Sequence, residues 1–327
     1  MLAMSREQQP KVKVSVVMCT YNGEHFLRQQ IDSILAQDYP LHEIIVQDDQ
    51  SCDDTWSILE VYKQQHPDLI KLHRNVERLG FNRNFHTAML RATGDMVAIS
   101  DQDDVWFASK IRRQVEAIGN ADVCYTDYYR DVTYQLPLKQ VVSPSGDLAT
   151  LFFYNVIPGH SLLVRRAFIE RADSWNEKFY YDWWFLLVAH LQGNGVAHVA
   201  EPLNWHRPHA ASAIAQLKKK HKQRSTPLHP TWQPYLVGWK DLWRMHQLPT
   251  WQMFYTYIYE HSLVTNHPQL HAMSKAMLSP LRWGQLCYLC WQQREALNPR
   301  SRGVKQTLRS FFYPAICAYG NTSFYFD

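Results

Sequence analysis

The sequence lacks any long apolar run. No segment approaches the roughly 20 apolar residues that a membrane-spanning helix requires, and the first residues, MLAMSREQQPKVK, contain no apolar stretch of the kind found in secretion signals. Hydrophobic residues nevertheless make up 46% of the 327 residues and charged residues 20%, which indicates a packed globular protein. We therefore expect a cytoplasmic protein with one large domain or two ordinary ones.

Several common kinds of ligand site are also missing. The six cysteines are scattered, and the C-x-x-C pair of Cys287 and Cys290 has no second pair to complete a zinc site. We interpret that pair as ordinary packing, with the thiols kept reduced. Neither G-x-G-x-x-G nor G-x-x-x-x-G-K-S/T occurs, which excludes the usual glycine-rich loops for dinucleotides and triphosphates. A phosphate-bearing ligand would have to be held in another way.

Charge is distributed unevenly along the chain. From Arg207 onward there are 15 Lys+Arg and 4 Asp+Glu residues, a balance of +11, whereas the earlier part carries −7 and the whole chain +4. A basic, aromatic C-terminal third suits an anionic partner, and a membrane surface and nucleic acid both have that charge. A solvated basic face is an equally good interpretation of the run KKKHKQR at 218–224 taken alone.

Strand-like and helix-like segments alternate over the first hundred residues. Short apolar runs typical of buried parallel strands are separated by segments with apolar residues at helical spacing. The predicted strands are 12–19, 43–47, 69–73 and 95–100, and the predicted helices carry Leu27, Ile31, Ile34 and Leu35, and then Phe81, Phe85, Ala88 and Met89, closed near Gly94. This alternation predicts an α/β fold with a doubly wound, mostly parallel sheet.

The pattern changes further along the chain. A strand-like DVCYTD at 122–127, an apolar LLVRR and a predicted buried helix at 182–191 are followed, from about residue 215, by a basic and aromatic segment. We predict a domain boundary there. Residues 1–215 would form the sheet domain with the ligand site, and residues 216–327 a helical, aromatic-rich C-terminal region.

Two acidic clusters follow predicted strands. Asp48 and Asp49 follow the second strand, and Asp101, Asp103 and Asp104 follow the fourth. Open parallel sheets bind ligands at the carboxyl ends of their strands, so we predict that both clusters lie at one edge. Three carboxylates this close require solvent, hydrogen bonds or a cation, and hard Mg²⁺ or Mn²⁺ prefers carboxylate and phosphate oxygens. The residues alone leave two interpretations, a solvated acidic turn and a divalent-metal site.

Five segments occur in the order and spacing of one family. They are VSVVMCTYNGEHFLRQQIDSILAQ, IIVQDDQSCDDT, NVERLGFNRNF, ATGDMVAISDQDDVW and YDWWFLLVA. Over about residues 12–215 the chain resembles the family-2 glycosyltransferases of the GT-A fold, especially bacterial members that build O-antigen and capsular polysaccharides, among them rhamnosyltransferases. The resemblance implies a GT-A sheet, a nucleoside-diphosphate sugar as donor and a divalent metal, Mn²⁺ or Mg²⁺.

The resemblance implies a nucleotide site at the ends of the first strands. The family cradles the base where Thr20, Tyr21 and Asn22 stand, and an acidic pair, here Asp48 and Asp49, accepts the N3–H of a pyrimidine. An ionised carboxylate can only accept hydrogen bonds, which suits that donor. Other family positions near the nucleotide or sugar are occupied by Gln50, which replaces the usual Gly, and by Arg78, Asn82, Asn84 and Asp101.

The resemblance also favours the metal interpretation of the second acidic cluster. Asp101 and Asp103 match the family's D-x-D motif, with Asp103 as the direct metal ligand, Asp101 toward the ribose or sugar hydroxyls as well, and Asp104 in support. The segment PLNWHRPHAASAI at 202–214 is similar to the family's P-L-x-x-Y-R-x-H-x-x-N. It implies that His209 reaches the metal and that Arg207 offsets the charge of the diphosphate. Two positions depart from the pattern, with His206 for Tyr and Ser212 for Asn.

Asp182 in YYDWW matches the family's catalytic carboxylate. A general base must take the proton of the acceptor hydroxyl, and flanking aromatic rings would desolvate the carboxylate and raise its basicity. The alternative is a helix N-cap, a position that favours Asp. The resemblance places acceptor contacts at Pro158, Gly159, His160, Trp183 and Trp184.

We therefore predict an inverting, metal-dependent glycosyltransferase. It would move rhamnose or a hexose from a pyrimidine nucleoside-diphosphate sugar to a saccharide acceptor in cell-surface polysaccharide synthesis. Two alternatives stay open: an inactive module that binds nucleotide sugars and recruits partners, and a sugar-phosphate nucleotidyltransferase. The latter class carries a glycine-rich N-terminal loop with a basic residue, which TYNGEHF lacks.

Lipid-linked oligosaccharides, the usual acceptors of the family, lie at the cytoplasmic face of the membrane. We expect the residues after about 215 to make peripheral contact with the membrane. We expect no nucleic-acid partner. The run KKKHKQR and the aromatic stretches WQMFYTYIY and FFYPAICAY supply basic and interfacial residues. The alternative is a helical subdomain whose aromatic residues form a core or a homo-oligomer contact.

Overall fold

A computed structural model describes residues 12–209, 233–298, 301–319, 321 and 323–324. The chain forms two compact units. The first comprises the residues up to Ser143, Gly159–Ala172 and Ala197–Arg207, and the second comprises Pro144–Pro158, Asp173–Val196 and the residues after Arg207. The units therefore interleave along the chain. The predicted boundary near residue 215, with Ser212 and the run at 218–224, lies outside the described residues.

Four parallel strands form one side of the sheet in the first unit. They are β1 (Val14–Thr20), β2 (Glu43–Asp48), β3 (Ile70–Arg74) and β4 (Met96–Ser100), in the order β3-β2-β1-β4. Every residue of β1, β2 and β4 is buried, as the nearly continuous apolar runs of these strands require. The four predicted strands are confirmed to within about two residues.

Three helices connect these strands. They are α1 (Leu27–Leu35), α2 (Thr55–Gln65) and α3 (Phe81–Met89). In α1 the apolar residues at helical spacing, Leu27, Ile31 and Ile34, are buried against the sheet. One detail of the prediction was wrong, because α3 ends at Met89 and not near Gly94. Gly94 instead packs against β1, where a Cβ atom would lie 2.8 Å from the Lys13 carbonyl oxygen.

Antiparallel strands complete the sheet. They are β5 (Val105–Trp106), β6 (Val123–Tyr129), β7 (Val141–Val142), β8 (Leu162–Arg165) and β9 (Val196–Trp205). The order continues from β4 through β8, β6 and β9 to β5, and β7 pairs with β6. Val105 pairs with Trp205. That pairing brings the acidic loop after β4 beside the residues that follow β9.

Short helices accompany this part of the sheet. They are α4 (Lys110–Ala117), the 3₁₀ turn Gly159–Ser161 and α6 (Arg166–Ile169), while α5 (Leu148–Leu151) belongs to the second unit. The sheet with its flanking helices is the mixed α/β architecture that the sequence predicts.

The second unit is helical. Its longer helices are α7 (Tyr181–Gln192), α8 (Gln233–His246), α9 (Pro249–Val264), α10 (Pro268–Met277), α11 (Trp283–Gln292) and α13 (Gly303–Phe311). The shorter ones are α12 (Arg294–Leu297), α14 (Tyr313–Ala318) and the 3₁₀ turn Pro280–Arg282. The predicted helical C-terminal region is therefore confirmed for the described residues. None of the described helices is both long and apolar enough to cross a bilayer.

Aromatic side chains fill the core of this unit. In the stretch WQMFYTYIY, Trp251, Phe254 and Tyr255 are at most 2% exposed. They pack on the ring of Phe324, with centroids 5.0–6.0 Å away. These three rings are therefore core, which favours the alternative of a helical subdomain for this stretch, whereas Tyr257 and Tyr259 are half-buried. The membrane contact itself stays a prediction. Cys287 and Cys290 are buried free thiols, which agrees with the interpretation of this pair as ordinary packing.

Candidate functional site

The two acidic clusters meet at one edge of the sheet. Parallel pairing places Thr20 of β1 opposite Asp48 of β2, and Met18 of β1 opposite Ser100 of β4. The strands β2, β1 and β4 are thus neighbours whose carboxyl ends carry Asp48-Asp49, Thr20-Tyr21 and Asp101–Asp104 respectively. The predicted convergence of the clusters is confirmed.

Asp48 organises the loop after β2. It is fully buried, and its carboxylate accepts hydrogen bonds from Thr20 Oγ1 (2.9 Å), from Ser51 Oγ (2.5 Å) and from the Ser51 backbone N–H (3.0 Å). Arg74 Nε lies 3.3 Å from Asp48 Oδ2, the oxygen that also accepts from the Ser51 N–H. The Asp48 carboxylate and the Thr20 hydroxyl are therefore engaged by partners within the protein, and they hold the ends of β1 and β2 together.

Asp49 is held by the next loop. Its oxygens accept from Asn75 Nδ2 (2.7 Å) and from the backbone N–H groups of Leu79 (2.7 Å) and Gly80 (2.9 Å). Asn75 Nδ2 also donates to the buried Asn84 (2.7 Å). A carboxylate has about four acceptor positions. Three donors therefore leave capacity for one more, and Asn82 and Asn84 are buried behind this loop.

Gln50 has a left-handed backbone, with φ of +66°. Glycine adopts this conformation without steric cost, whereas other residues rarely do. Gln50 therefore takes, at a conformational cost, a backbone that Gly would adopt freely. The Gln50 side chain donates to the Asn75 carbonyl oxygen, which ties it to the Asp49 loop. Asn22 shares the left-handed region, with φ of +48°.

Gln102, the middle residue of the D-x-D motif, joins the two loops. Its amide accepts from the Tyr21 N–H (2.9 Å) and donates to the Tyr21 carbonyl (3.0 Å). The chain passes so closely that a Cβ at Gly23 would overlap the Gln102 amide. The exposed Arg78 covers the Tyr21 ring, with Cζ 3.9 Å from the centroid. Motif reasoning missed Gln102 because the family pattern leaves that position unspecified.

Asp104 forms a buried cluster with two histidines. His206 Nδ1 lies 3.0 Å from Asp104 Oδ1, and His160 Nδ1 lies 3.5 Å from Asp104 Oδ2. The two imidazole rings stack with centroids 4.8 Å apart, and Tyr128 meets both edge-on. His206 stands where the family segment has Tyr. The structure places His160 in this cluster, whereas the sequence suggested an acceptor contact.

The charges in this cluster follow from burial and pairing. Burial alone would raise the pKa of the Asp104 carboxyl, but the imidazoles of His160 and His206 and the Arg207 backbone N–H hold it below its usual range. Burial lowers the pKa of His160 to about 3, although the charge of Asp104 acts in the opposite direction. Burial also disfavours the cation of His206, but the hydrogen bond to Asp104 raises the pKa of His206 above its usual value. The cluster is thus a carboxylate paired with one of two histidines.

Arg207 fixes the acidic loop from the other side. Its Nε donates to the Asp103 carbonyl (2.9 Å), and its backbone N–H donates to Asp104 Oδ1 (3.1 Å). Its guanidinium lies between the rings of Phe26 and Trp205, 4.4 Å from each centroid. The structure therefore brings Arg207 to the D-x-D loop, as the family segment implies, and gives it a positioning contact there.

The residues of this loop fit a divalent cation. Asp101 and Asp103 are half-buried and supply hard carboxylate oxygens, which suit Mn²⁺ and Mg²⁺. Asp104 Oδ2 is buried and accepts no hydrogen bond from the described residues. Among the described residues, ligand atoms of Asp104, His160 and His206 lie within 4.8 Å of one another. This group does not include Asp101, Asp103 or His209. The donor chemistry thus agrees with the predicted metal, while its ligand set stays a prediction.

Asp182 lies in the first turn of α7 in the second unit. Its Oδ1 accepts from Asn155 Nδ2 and from the Trp183 N–H, both at 2.8 Å. The N-cap of this helix is Tyr180, so the alternative of Asp182 as the capping residue was wrong. A carboxylate in the first turn is still stabilised by the helix dipole. Its role as a base stays a prediction.

Trp183 and Trp184 have the contacts of core residues. Both indoles are buried, and their Nε1–H groups donate to Leu151 O (2.7 Å) and Asp173 O (3.0 Å). Gly159 is also buried, in the 3₁₀ turn of the first unit. His209 is half-buried and belongs to the second unit. Acceptor contacts at Pro158, Gly159, Trp183 and Trp184 stay predictions, and the two indoles show packing instead.

The fold, with its acid-rich edge at the ends of parallel strands, is of the GT-A type. A family model described as glycosyl transferase family 2 matches residues 15–186. This chain belongs to that family.

Curated relatives match parts of the chain. A UDP-Glc:alpha-D-GlcNAc-diphosphoundecaprenol beta-1,3-glucosyltransferase, WfgD of Escherichia coli, is 35% identical over 118 residues, which are 35% of this chain and 45% of that protein. The dTDP-rhamnosyl transferase RfbG of Shigella flexneri is 25% identical over 227 residues, 63% of this chain and 77% of that protein. Across the first three relatives, the chain spans only 37% to 53% of their length.

Solved structures share the fold. TarS 1-349 of S. aureus in complex with UDP-GlcNAc superposes with a TM-score of 0.57 at 17% identity and covers 94% of this chain and 89% of that one. The mannosyltransferase PcManGT of Pyrobaculum calidifontis, in complex with GDP-Man and Mn²⁺, has a TM-score of 0.51 at 16% identity and covers 95% and 86%. At these identities the likeness shows the fold alone.

Proposed function

We propose that this protein is an inverting, metal-dependent glycosyltransferase. It transfers a sugar, rhamnose or a hexose, from a pyrimidine nucleoside-diphosphate donor to a saccharide acceptor in cell-surface polysaccharide synthesis. The observation that supports this most is the meeting of Thr20-Tyr21, Asp48-Asp49 and Asp101–Asp104 at the ends of three adjacent strands. The named activities of WfgD and RfbG, both bacterial sugar transferases, favour the same reaction class.

The proposed donor site uses the loops that follow β1, β2 and β4. The base would lie beside Tyr21 and Asp49, where the remaining acceptor position of Asp49 suits the N3–H of uracil or thymine. Arg78, which lies over the Tyr21 ring, would either move away to admit the base or cover the base once it is bound. The diphosphate would lie at the acidic loop, where Arg207 offsets negative charge.

Asp101 and Asp103 would hold the metal, with His209 as a third ligand. A bound divalent cation supplies charge stabilisation to the departing diphosphate oxygens. The protein's own contribution is to fix this loop. Gln102 fixes it through the Tyr21 backbone, and Arg207 fixes it through the Asp103 carbonyl. PcManGT, which was solved in complex with Mn²⁺, supports a cation in this fold.

The proposed reaction is a single displacement at the anomeric carbon. An acceptor hydroxyl oxygen forms the new bond to that carbon as the carbon–oxygen bond to the diphosphate breaks, which inverts the configuration. Asp182 would take the hydroxyl proton. Its Oδ1 is engaged by Asn155 Nδ2 and the Trp183 N–H, which orients the carboxylate.

The experiment is a direct transfer assay. The purified chain is incubated with UDP-glucose, UDP-GlcNAc and dTDP-rhamnose, each with MnCl₂ or with EDTA, and with a GlcNAc-diphosphate-lipid acceptor. Release of nucleoside diphosphate with a new glycoside product supports the proposal. Donor binding without turnover would indicate an inactive binding module, and release of pyrophosphate from a nucleoside triphosphate would indicate a nucleotidyltransferase.

A further inference from the structure

Helix α13 in the second unit is turned with its polar side inward. Gln306 and Ser310 are buried, at 8% and 0% exposure. Gln306 Nε2 donates to the carbonyl oxygens of Arg294 (3.3 Å) and Asn298 (3.1 Å), and Asn298 Nδ2 donates to Ser310 Oγ (2.8 Å). These hydrogen bonds fix the rotation of the helix about its axis, because any rotation would leave buried polar groups without hydrogen-bond partners.

The opposite side of α13 is an apolar stripe. Val304, Leu308 and Phe311 follow one another at helical spacing and keep 76%, 52% and 40% of their surface exposed. A surface helix normally buries such a stripe and exposes its polar residues. The arrangement of α13 is the reverse, and among the residues that the structure describes the three apolar side chains stay 40% or more exposed. An apolar stripe held outward in this way is a candidate contact surface.

The charges beside the stripe indicate its partner. Arg302 and Lys305 are exposed, Arg309 is on the same side of the helix as Lys305, and residues 301–319 contain no Asp or Glu. An apolar stripe flanked by basic residues on one helix is the pattern of helices that lie in the surface of an anionic membrane. A protein partner with an apolar groove would require no such one-sided charge.

We propose that α13 binds the surface of a bilayer containing anionic lipid. The helix lies in the plane of the membrane, with Val304, Leu308 and Phe311 in the acyl boundary and with Arg302 and Lys305 at the phosphate groups. The inference is narrower than the expectation from the sequence, which placed the contact after about residue 215, in the run KKKHKQR and the stretches WQMFYTYIY and FFYPAICAY. The run lies outside the described residues, Trp251, Phe254 and Tyr255 of the first stretch are core, and Phe311 of the second belongs to the stripe.

The test is co-sedimentation of the full chain with vesicles. Vesicles of pure phosphatidylcholine are compared with vesicles that contain 30% phosphatidylglycerol, in roughly 50 and 500 mM NaCl. The wild-type chain is expected to bind the anionic vesicles in low salt and to dissociate in high salt. The variant Val304→Ala/Leu308→Ala, which keeps helix propensity, is expected to bind about tenfold or more weakly.

The matched control is Val132→Ala/Leu136→Ala. Val132 and Leu136 are 82% and 75% exposed in the first unit, so the control removes the same two side chains from another surface. A charge variant, Arg302→Gln/Lys305→Gln, is expected to lose the salt-sensitive part of binding. Circular dichroism and thermal melts show whether each variant is folded.

Three results would overturn the proposal. One is no binding by the folded wild-type chain to anionic vesicles in low salt. Another is an equal loss of binding in the control. The third is a dimer by light scattering that the Val304→Ala/Leu308→Ala variant abolishes, since the stripe would then bind a second copy. Donor hydrolysis without vesicles is measured on the same samples, so failure of membrane binding is distinguishable from failure of the proposed transferase activity.

Discussion

At the scale of single residues, this chain departs from its family where the structure has built something in place of the usual residue. Gln50 takes a left-handed backbone that Gly would adopt freely, and its side chain then ties the loop to Asn75. His206 stands in place of Tyr and pairs with the buried Asp104, beside the ring of His160. At both positions the side chain contributes a contact that holds its loop.

The change Asp103→Ala tests the metal assignment. We expect it to abolish transfer and to remove the part of nucleotide binding that depends on Mn²⁺, because a carboxylate that would hold the cation is lost. Isothermal titration with UDP, with and without MnCl₂, measures this. The control is Asp68→Ala, an exposed aspartate beside the amino end of β3. Normal turnover of Asp103→Ala in EDTA would show that the assignment is wrong.

The change Asp182→Asn tests the general base. The amide keeps the shape and can still accept from Asn155, but it cannot take a proton, so turnover is expected to fall by roughly 10²-fold or more. The Kd for the donor is expected to change little. Measured kcat and donor affinity separate the two effects, and a kcat near that of the wild-type chain would leave Asp182 with a structural role in the first turn of α7.

At the scale of elements, what could be predicted depends on whether the pattern is local. Strands β1, β2 and β4 are continuous apolar runs, so the sequence indicates them directly. Strand β5 has two residues and exists because Val105 pairs with Trp205, a hundred residues away. No local pattern encodes that pairing. The same long-range pairing brings Asp104 to His206, which is why the donor loops were predictable and this cluster was not.

Glu43, the first residue of β2, ties several elements together. It is 1% exposed and accepts from Ser15 Oγ of β1 (2.7 Å) and from the Thr93 N–H (2.7 Å), and it pairs with Lys71 of β3 (2.5 Å). Burial opposes ionisation, but these partners lower the pKa of Glu43 to about 2. Since the pKa is lowered on folding, the carboxylate stabilises the fold above pH 4.5 and loses this effect as the pH falls toward 2.

The change Glu43→Gln is therefore expected to reduce the free energy of unfolding by about 2–3 kcal/mol at pH 7, and by less at pH 3. Urea unfolding at the two pH values measures the difference. Glu77→Gln, at an exposed glutamate, is the control and is expected to have little effect. A loss from Glu43→Gln that is as large at pH 3 as at pH 7 would contradict the link to ionisation.

At the scale of the whole molecule, the charge asymmetry of the chain has a structural counterpart. The first unit, with its parallel strand ends, carries the acidic residues that suit a cation and a phosphorylated donor. The basic residues after Arg207 accompany a helical unit in which Trp251, Phe254 and Tyr255 are core, whereas Trp243 and Tyr288 are exposed. The composition predicts an anionic partner for that unit, but it does not locate the contact, because a run of aromatic letters does not show which side of a helix is buried.

The donor base provides the last prediction. Asp49 accepts from three protein donors and has capacity for one more, so it can read the N3–H of uracil or thymine. Cytosine has the same size but has no hydrogen on N3. We expect UDP and dTDP with MnCl₂ to raise Tm more than CDP does, since a ligand at 100 times its Kd adds about 2.7 kcal/mol to the stability of the folded state. Differential scanning fluorimetry at equal ligand concentrations measures the order. Equal shifts from UDP and CDP would mean that Asp49 only organises its loop, and a larger shift from GDP would exclude a pyrimidine donor.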